Sequence, residues 1–218
     1  MSVITTSFSD FFAGANVVLT NAQTQPDIAA ALDAFGYDAA ALQQGQELLT
    51  TARTLYDAQI REYSEQHAAT QAFKEAVNQA DKSYAAHRQL AKVAFKTDAQ
   101  RQTDLRLNER KPLAFNAWHE QARHFYTALL ADSSAQSQLA RYRVTVETLQ
   151  AAQSQVTQTF ALNSAQEQEK GEAQNATQQR DAAIEALCDW LSDFKVVARI
   201  ALADSPQLLE SLNLGAIT

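Results

Sequence analysis

Cysteine, proline and glycine are scarce in this sequence, with one, three and five residues respectively among 218. Proline and glycine mark the turns of hairpins and sheets, so their scarcity disfavours a β-rich fold. The single Cys188 excludes an internal disulfide, and it lies among Leu187, Trp190 and Leu191, where a buried thiol is expected. A chain without disulfides fits a reducing compartment, and we predict a cytoplasmic protein.

Long apolar runs are also missing from the sequence. The most apolar stretch, residues 194–203, contains Lys195 and Arg199 and is far shorter than the roughly 20 residues that cross a bilayer. Residues 1–19 include Asp10 and no basic residue ahead of the apolar positions, unlike a secretory signal. The sequence therefore predicts no membrane span and no signal peptide.

Positive charge is low as well. The formal net charge is -7 and the pI is about 5.1. Such a chain repels a phosphate backbone, and no helical face concentrates Lys and Arg, so we expect no nucleic-acid partner. The 46% of hydrophobic residues is enough for a packed core, and Ala, Gln, Leu and Glu, which are strong helix formers, are plentiful. These features predict a soluble, all-α protein.

An internal repeat is the most informative pattern. Shifting the sequence by 107 positions aligns its two halves without a gap. Matches include Leu42 with Leu149, Gln43 with Gln150, Glu62 with Glu169, Glu65 with Glu172, and Thr70 with Thr177. An ungapped match across both halves favours internal duplication over shared composition. We predict two helical repeats, 1–107 and 108–214, intertwined into one elongated structure rather than folded as separate globular domains.

Capping residues place the helix ends within each repeat. Pro26 suits a first helical position, and Gly36 suits the left-handed residue that closes a helix, so a short helix is predicted at about 26–35. Asp38 and its counterpart Thr145 each have a side-chain oxygen that accepts unpaired backbone N–H groups at a helix start.

Two very long helices follow these caps. No proline interrupts the chain from Asp38 until Pro112, or from Thr145 until Pro206. Helices at about 38–96 and 145–203 would each be on the order of 87 Å long at about 1.5 Å per residue. A helix of that length exceeds one globular core.

Heptad-spaced apolar residues occupy the ends of both long helices, as in a coiled coil. In the first helix they include Leu42, Leu49, Tyr56, Val77 and Tyr84. The middle of the second helix, residues 163–180, contains no large apolar residue. We therefore predict an all-α, internally duplicated, antiparallel helical bundle built on two very long helices, with short helices packed at both ends. The alternative is a hairpin at Lys170 and Gly171 that splits the second helix.

The antiparallel arrangement predicts which residues form each end. One end combines Phe8, Phe11, Phe12, Leu19, Ile28, Leu32, Leu48, Leu55, Ile184, Leu187, Leu191, Phe194, Leu208 and Leu212. The other combines Phe115, Trp118, Phe125, Leu129, Leu139, Val146, Val156, Phe160, Val77, Tyr84, Leu90, Phe95 and Leu105.

Catalytic motifs are missing. The run from Trp118 to His124 resembles the zinc-binding HExxH, but its two histidines, His119 and His124, are five residues apart and about 140° apart on a helix, so they cannot share a metal. The Glu-x-x-His pairs of di-iron bundles, GxSxG, P-loop and Rossmann patterns do not occur, and Cys188 has no activating neighbour. We expect no enzymatic activity, no catalytic residue and no cofactor.

Two weaker constellations are candidate metal sites. His87 and His119 align with Phe194 and Phe12 of the other end, so a pair of imidazoles in a bundle core is a candidate site for a metal or a haem. The structural interpretation is that polar rings simply replace aromatic rings there.

Four glutamates near the centre of the long helices form the second candidate: Glu62, Glu65, Glu169 and Glu172. A hard cation that bridges carboxylates is one interpretation. The other is a solvated face balanced by Arg61 and Lys170.

These patterns favour a non-enzymatic helical scaffold or protein-interaction protein that binds protein partners, and homo-oligomerisation is compatible with them. The alternative is a bundle that binds a small molecule, a metal or a haem. A membrane-active protein is disfavoured because no segment is apolar enough to enter a bilayer.

The sequence makes a prediction about dimensions. A compact sphere of 218 residues measures about 50 Å across by the usual size scaling, whereas each predicted long helix alone exceeds that. We expect small-angle X-ray scattering to give a maximum dimension well above about 50 Å. A value near that of the sphere would contradict the antiparallel bundle of long helices.

Overall fold

The computed structural model describes residues 7–214, which form eight α-helices and no strand. The helices are α1 (Phe8–Thr24), α2 (Pro26–Asp33), α3 (Ala39–Ala94), α4 (Ala99–Asp104), α5 (Phe115–Ala131), α6 (Ser133–Ala140), α7 (Val146–Ala201) and α8 (Pro206–Ser211). None of the helices in this described range has a stretch that is both long and apolar enough to cross a bilayer.

The helices of the second half follow those of the first at a constant interval. Each of α5 to α8 begins and ends 107 residues after its counterpart among α1 to α4. The left-handed residues keep the same interval, with Gly36 at φ 85° and Arg143 at φ 63°. Gly36 closes α2 as its sequence predicts. The duplication itself stays a prediction from the sequence.

The long helices begin at the predicted caps. Asp38 Oδ1 accepts the N–H of Ala41 at 2.8 Å. Thr145 and Thr148 cap each other, because each backbone N–H donates to the other's hydroxyl, at 2.9 and 3.4 Å. Each helix then runs for 56 residues, and Gly171 lies inside α7. The hairpin alternative at Lys170 and Gly171 is therefore wrong, and the two long continuous helices are confirmed.

The structure divides into two compact units whose limits cross the two sequence repeats. Of the described residues, unit 1 contains those up to Tyr63 and those from Glu172 onward, and unit 2 contains Ser64–Gly171. Both long helices contribute to both units. Helices α1, α2 and α8 complete unit 1, and α4, α5 and α6 complete unit 2.

The core of unit 1 closely matches the predicted first set. Its buried members include Phe12, Leu19, Ile28, Leu32, Leu49, Ile184, Leu187, Leu191, Phe194 and Leu212, with Phe8, Phe11, Leu48 and Leu208 packed against them. Leu55, also predicted there, is only partly buried and lies outside this cluster. The aromatic rings of Tyr37, Trp190 and Phe194 contact one another in this core.

The core of unit 2 contains most of the predicted second set. Its buried members include Tyr84, Phe95, Leu105, Trp118, Phe125, Tyr126, Leu129, Leu139, Leu149 and Val156. Phe160 was predicted in this core but is 54% exposed, so its assignment was wrong. Its ring contacts that of His119 at a centroid distance of 5.4 Å.

The long helices run antiparallel within each unit. In unit 1, Gly45 of α3 meets Trp190 of α7, and Gln59 accepts a hydrogen bond from Arg180 at 3.1 Å, so rising numbers on α3 meet falling numbers on α7. Gly45 allows this approach. A Cβ added there would lie 2.5 Å from Trp190 Cη2 and 2.8 Å from Leu19 Cδ2. The indole therefore occupies the space that a side chain at position 45 would need.

Two glycine substitutions test this packing. Gly45→Ala should lower the free energy of unfolding by about 1 to 3 kcal/mol, because the added methyl overlaps the partly buried Trp190 indole and the buried Leu19 side chain. Gly171→Ala is the matched control, since nothing lies within 4 Å of its added Cβ. It should raise stability by about 0.5 to 1 kcal/mol, the ordinary gain of alanine over glycine inside a helix. Urea unfolding of both variants measures the difference, and equal effects of the two substitutions would contradict the tight contact.

Candidate functional site

The interior of unit 2 is polar at positions where the interior of unit 1 is apolar. The buried side chains of unit 2 that carry hydrogen-bonding atoms include Tyr84, His119, Gln121 and Tyr126. The residues 107 positions away, in unit 1, are Leu191, Phe12, Gly14 and Leu19. Burying polar atoms costs free energy unless they find partners. The polar interior of unit 2 is therefore the candidate site, and its polar atoms need hydrogen-bond partners.

Tyr84 and Gln121 link α3 to α5. The Tyr84 hydroxyl donates to Gln121 Oε1 at 3.0 Å. The Gln121 amide donates in turn to Glu109 Oε2 at 3.3 Å and to the Arg110 carbonyl at 3.4 Å. Burial raises the pKa of Tyr84 to about 12, so the phenol stays neutral and keeps its proton for this bond. The chain of bonds ties the segment between α4 and α5 to both helices.

Arg88 holds the same segment from the side of α3. Its Nη2 donates to the backbone carbonyls of Arg106, Leu107 and Glu109. Its Nε is buried and has no hydrogen-bond partner among the described residues. A buried guanidinium loses hydration, and these hydrogen bonds to carbonyl oxygens offset part of that loss.

His119 is buried, and only one of its ring nitrogens is engaged. A hydrogen bond joins the ring to the backbone of Val156, and Nε2 has no partner among the described residues. Burial lowers the pKa of His119, so the ring is neutral near pH 7. The rings of Phe115 and Phe160 contact it at centroid distances of 5.9 and 5.4 Å.

In unit 1, the positions equivalent to His119 and Phe160 carry a phenyl ring and a cation. Phe12 occupies the position of His119, and Arg53 occupies that of Phe160. The Arg53 guanidinium lies 5.8 Å from the Phe12 ring centroid and donates to the Phe12 carbonyl at 2.9 Å. One unit thus packs a cation on a phenyl ring, and the other packs a phenyl ring on an imidazole. This correspondence supports the structural interpretation of His119.

His87 lies at a different level of unit 2. Its Nδ1 is 3.2 Å from the hydroxyl of Tyr126, and burial lowers the pKa of His87 and raises that of Tyr126. Tyr126 is two turns beyond His119 on α5, about 10 Å along the axis. The two imidazoles therefore contact different parts of the core. His124 also lies apart from His119, since its Nε2 is 2.7 Å from the Asp104 carbonyl.

The four candidate glutamates divide between the units. Glu62 and Glu172 belong to unit 1, and Glu65 and Glu169 belong to unit 2. Within unit 2, a carboxylate oxygen of Glu65 lies within 4.8 Å of one of Glu169. Glu65 is exposed and Glu169 is partly buried, and Glu169 also interacts with other groups of the protein. The metal hypotheses for the glutamates and for the two histidines stay predictions.

A cleft of about 250 Å³ opens on unit 2 between α3, α5 and the segment that precedes α5. We call it the Asp81 cleft. Asp81 is its central charge: Lys111 Nζ donates to both carboxylate oxygens, at 2.8 and 2.7 Å, and Trp118 Nε1 donates to Oδ1 at 2.8 Å. The cleft is lined by Phe73, Val77, Asn78, Asp81, Lys111, Pro112, Leu113, Phe115 and Trp118.

Sequence reasoning did not find the Asp81 cleft. A signal for it was present, because position 81 pairs with Cys188 and position 121 with Gly14, so polar groups replace small residues in one repeat only. The thiol of Cys188 is partly buried against the core of unit 1, and burial raises its pKa, as the sequence led us to expect for an inert cysteine. The interactions of Asp81 with Lys111 and Trp118 required the structure.

The buried imidazole predicts how stability depends on pH. Because burial holds the pKa of His119 below its ordinary value of about 6.5, the unfolded chain binds protons that the folded chain does not. Stability from this group is complete above pH 6.5 and is lost as pH falls through about 6.5 toward the lowered folded pKa. His119→Phe should reduce that loss between pH 7.5 and 5.5, and the part that comes from the buried His87, whose pKa is also lowered, should remain.

At pH 7.5 the same substitution should leave stability unchanged or raise it by about 1 kcal/mol. It removes the unpartnered Nε2, and the Val156 carbonyl keeps a bond from the Thr159 hydroxyl at 2.6 Å. Urea unfolding at both pH values measures the effect, and His67→Gln, at an exposed position, is the control. A lower melting temperature together with the loss of a bound metal would instead support a ligand role for His119.

Comparison with known proteins finds no match to this chain among protein-family models, curated proteins or solved structures. No function is transferred to it from a relative. Its function is therefore inferred from its own residues and their contacts.

Proposed function

We propose that this chain is a non-enzymatic helical scaffold that binds protein partners on both of its units. The observation that carries the proposal is a pair of exposed apolar side chains at matching positions. Val93 near the end of α3 is 59% exposed, and Ile200 near the end of α7, 107 residues later, is 58% exposed. One lies in unit 2 and the other in unit 1.

The neighbours of these two residues explain why we assign them to binding. Ala91 and Phe95 beside Val93 are buried, as are Ala198 and Leu202 beside Ile200. These buried neighbours supply the core contacts at each helix end, whereas more than half of the Val93 and Ile200 side chains stays exposed to solvent. Covering such a side chain with a partner removes apolar surface from water, at about 25 cal/mol per Å².

The long helices supply the scaffold itself. Because α3 and α7 each contribute to both cores, neither unit can be separated from the other without breaking a helix. A partner bound to one unit is thereby linked to a partner bound to the second. The net charge of -7 and the lone, partly buried cysteine support our assignment to the reducing, aqueous environment of the cytoplasm, without nucleic acid as a partner.

Photo-cross-linking tests the scaffold. Benzoylphenylalanine placed at Val93 and at Ile200, in the cell that makes the protein, should give discrete adducts with identifiable proteins. Gln71 and Gln178 are the matched controls, because they are exposed, 107 residues apart and on the same two helices. They should give none. Adducts at neither test position, or equal adducts at all four, would reject the proposal, and an adduct with a second copy of the chain would identify a homo-oligomer.

A second candidate function is small-molecule, metal or haem binding within a bundle. The observation in its favour is the polar interior of unit 2, which replaces apolar residues of unit 1 and leaves Arg88 Nε and His119 Nε2 without hydrogen-bond partners among the described residues. Polar interiors that cost stability are common where a ligand is bound. A stoichiometric ligand in the native mass spectrum of the purified protein would favour this candidate over the scaffold.

A further inference from the structure

The Asp81 carboxylate is bound by one fixed donor and one exchangeable donor. Trp118 is 4% exposed and its ring is held in the core of unit 2, so its indole N–H has a set position. Lys111 differs, because its side chain is 37% exposed and its backbone lies in the non-helical segment between α4 and α5. Leu113, two residues further on, is 88% exposed.

The Lys111 ion pair can be replaced at little cost. Exposed and half-exposed ion pairs contribute only about 0 to 1 kcal/mol, because water screens the charges and the long side chain loses entropy. Asp81 lines the cleft, and 32% of its side chain is exposed. Another cation that reaches the carboxylate and also gains contacts with the walls will therefore compete with the lysine.

The walls of the cleft favour a cation with an apolar body. Phe73 and Phe115 meet edge to face at a centroid distance of 5.0 Å, and Phe115 lies 6.0 Å from Trp118. Aromatic faces attract ammonium groups, and they cover alkyl or aryl groups as well. An anion would meet the charge of Asp81, so the same walls disfavour it. The volume of about 250 Å³ limits the ligand to a small molecule.

Unit 1 has different residues at the positions that match Asp81 and Trp118. Position 188 is a cysteine where unit 2 has Asp81, and position 11 is a phenylalanine where unit 2 has Trp118. Neither residue supplies a charge or an N–H group to a ligand. Any binding that depends on the carboxylate and the indole is thus confined to one unit of the molecule.

We infer that the Asp81 cleft binds a small organic ammonium ion, a primary amine with an aryl or alkyl body, in the place that the Lys111 ammonium occupies. The ligand's nitrogen donates to the Asp81 carboxylate beside the Trp118 indole, and its apolar body lies against Phe73 and Phe115. Lys111 acts as a built-in competitor that keeps the carboxylate paired when the ligand is absent. This inference rests on the second candidate function, ligand binding in unit 2.

Titration of the full chain with 2-phenylethylamine tests the inference. The indole N–H resonances of Trp118 and Trp190 are followed in nitrogen-15 correlation spectra. The Trp118 signal should shift and saturate, and the Trp190 signal, which comes from unit 1, should stay in place. Lys111→Met, which removes the competing charge and keeps an unbranched apolar side chain, should bind the amine about tenfold more tightly than the unmodified chain. Asp81→Asn should bind it at least about tenfold more weakly.

The neutral analogue 2-phenylethanol separates charge recognition from simple apolar binding. It should shift the Trp118 signal at least about tenfold less effectively than the amine in the unmodified chain, which keeps the test valid if Asp81→Asn fails to fold. Equal affinities for the amine and the alcohol, or no gain in Lys111→Met, would overturn the ammonium site.

Failure of this inference is distinguishable from failure of ligand binding. If the amine does not bind but the native mass spectrum shows a stoichiometric ligand, the ammonium site is wrong and the second candidate function stands. If neither is seen, both are wrong. Binding of the amine with the expected order of the three proteins supports both.

Discussion

The length of α3 and α7 is the constraint on which the rest of the structure depends. A 56-residue helix has more apolar surface at its ends than one small core can cover, and a polar middle that needs little cover. Both helices therefore share their apolar residues between two cores. In each unit the short helices cover the apolar residues at one end of the long pair. Because the long helices pair antiparallel, the apolar start of one lies beside the apolar end of the other, and the two can share one core.

Equal helix bounds do not produce equal interiors. Unit 1 is closed by rings and aliphatic groups such as Phe12, Leu19 and Leu191, whereas unit 2 places hydroxyl, amide and imidazole groups at the same positions. Hydrophobic burial alone would favour an apolar interior in both units. The segment between α4 and α5 explains part of the polar interior of unit 2, because Arg88 and Gln121 donate hydrogen bonds to its backbone carbonyls.

Much of the fold could be predicted from the sequence, because its causes are local or periodic. The caps at Asp38 and Thr145, the left-handed Gly36 and the uninterrupted long helices follow from single residues and from the absence of proline. Most core residues follow from heptad spacing together with the comparison of repeats. Phe160 shows the limit of that method, since spacing identifies a helical face but not what lies opposite it.

The candidate site could be predicted only in part. The comparison of repeats singled out His87 and His119, but their levels in the core depend on how α5 packs on α3, which no local pattern specifies. Asp81 is 30 residues from Lys111 and 37 from Trp118, and the non-helical segment that brings them together has no periodicity to read. Contacts of this kind follow from tertiary packing, so the sequence carries only the weak signal of a charge where the other repeat has a thiol.

The meeting of Gly45 with Trp190 also fixes the alignment of the two long helices in unit 1. Sliding α3 by one turn in either direction would bring Ala41 or Leu49 opposite the indole, and a side chain at that distance has no room. Gly45 thus leaves the gap on α3 that the Trp190 indole fills. At the matching positions unit 2 has Ala152 and Ser83, so it has neither the glycine nor the indole of this contact. There the Ser83 hydroxyl donates to Gln155. Hydrogen bonds thus join the two long helices in both units, from Arg180 to Gln59 in unit 1 and from Ser83 to Gln155 in unit 2, and unit 1 adds the contact between Gly45 and Trp190 that fixes the alignment by shape.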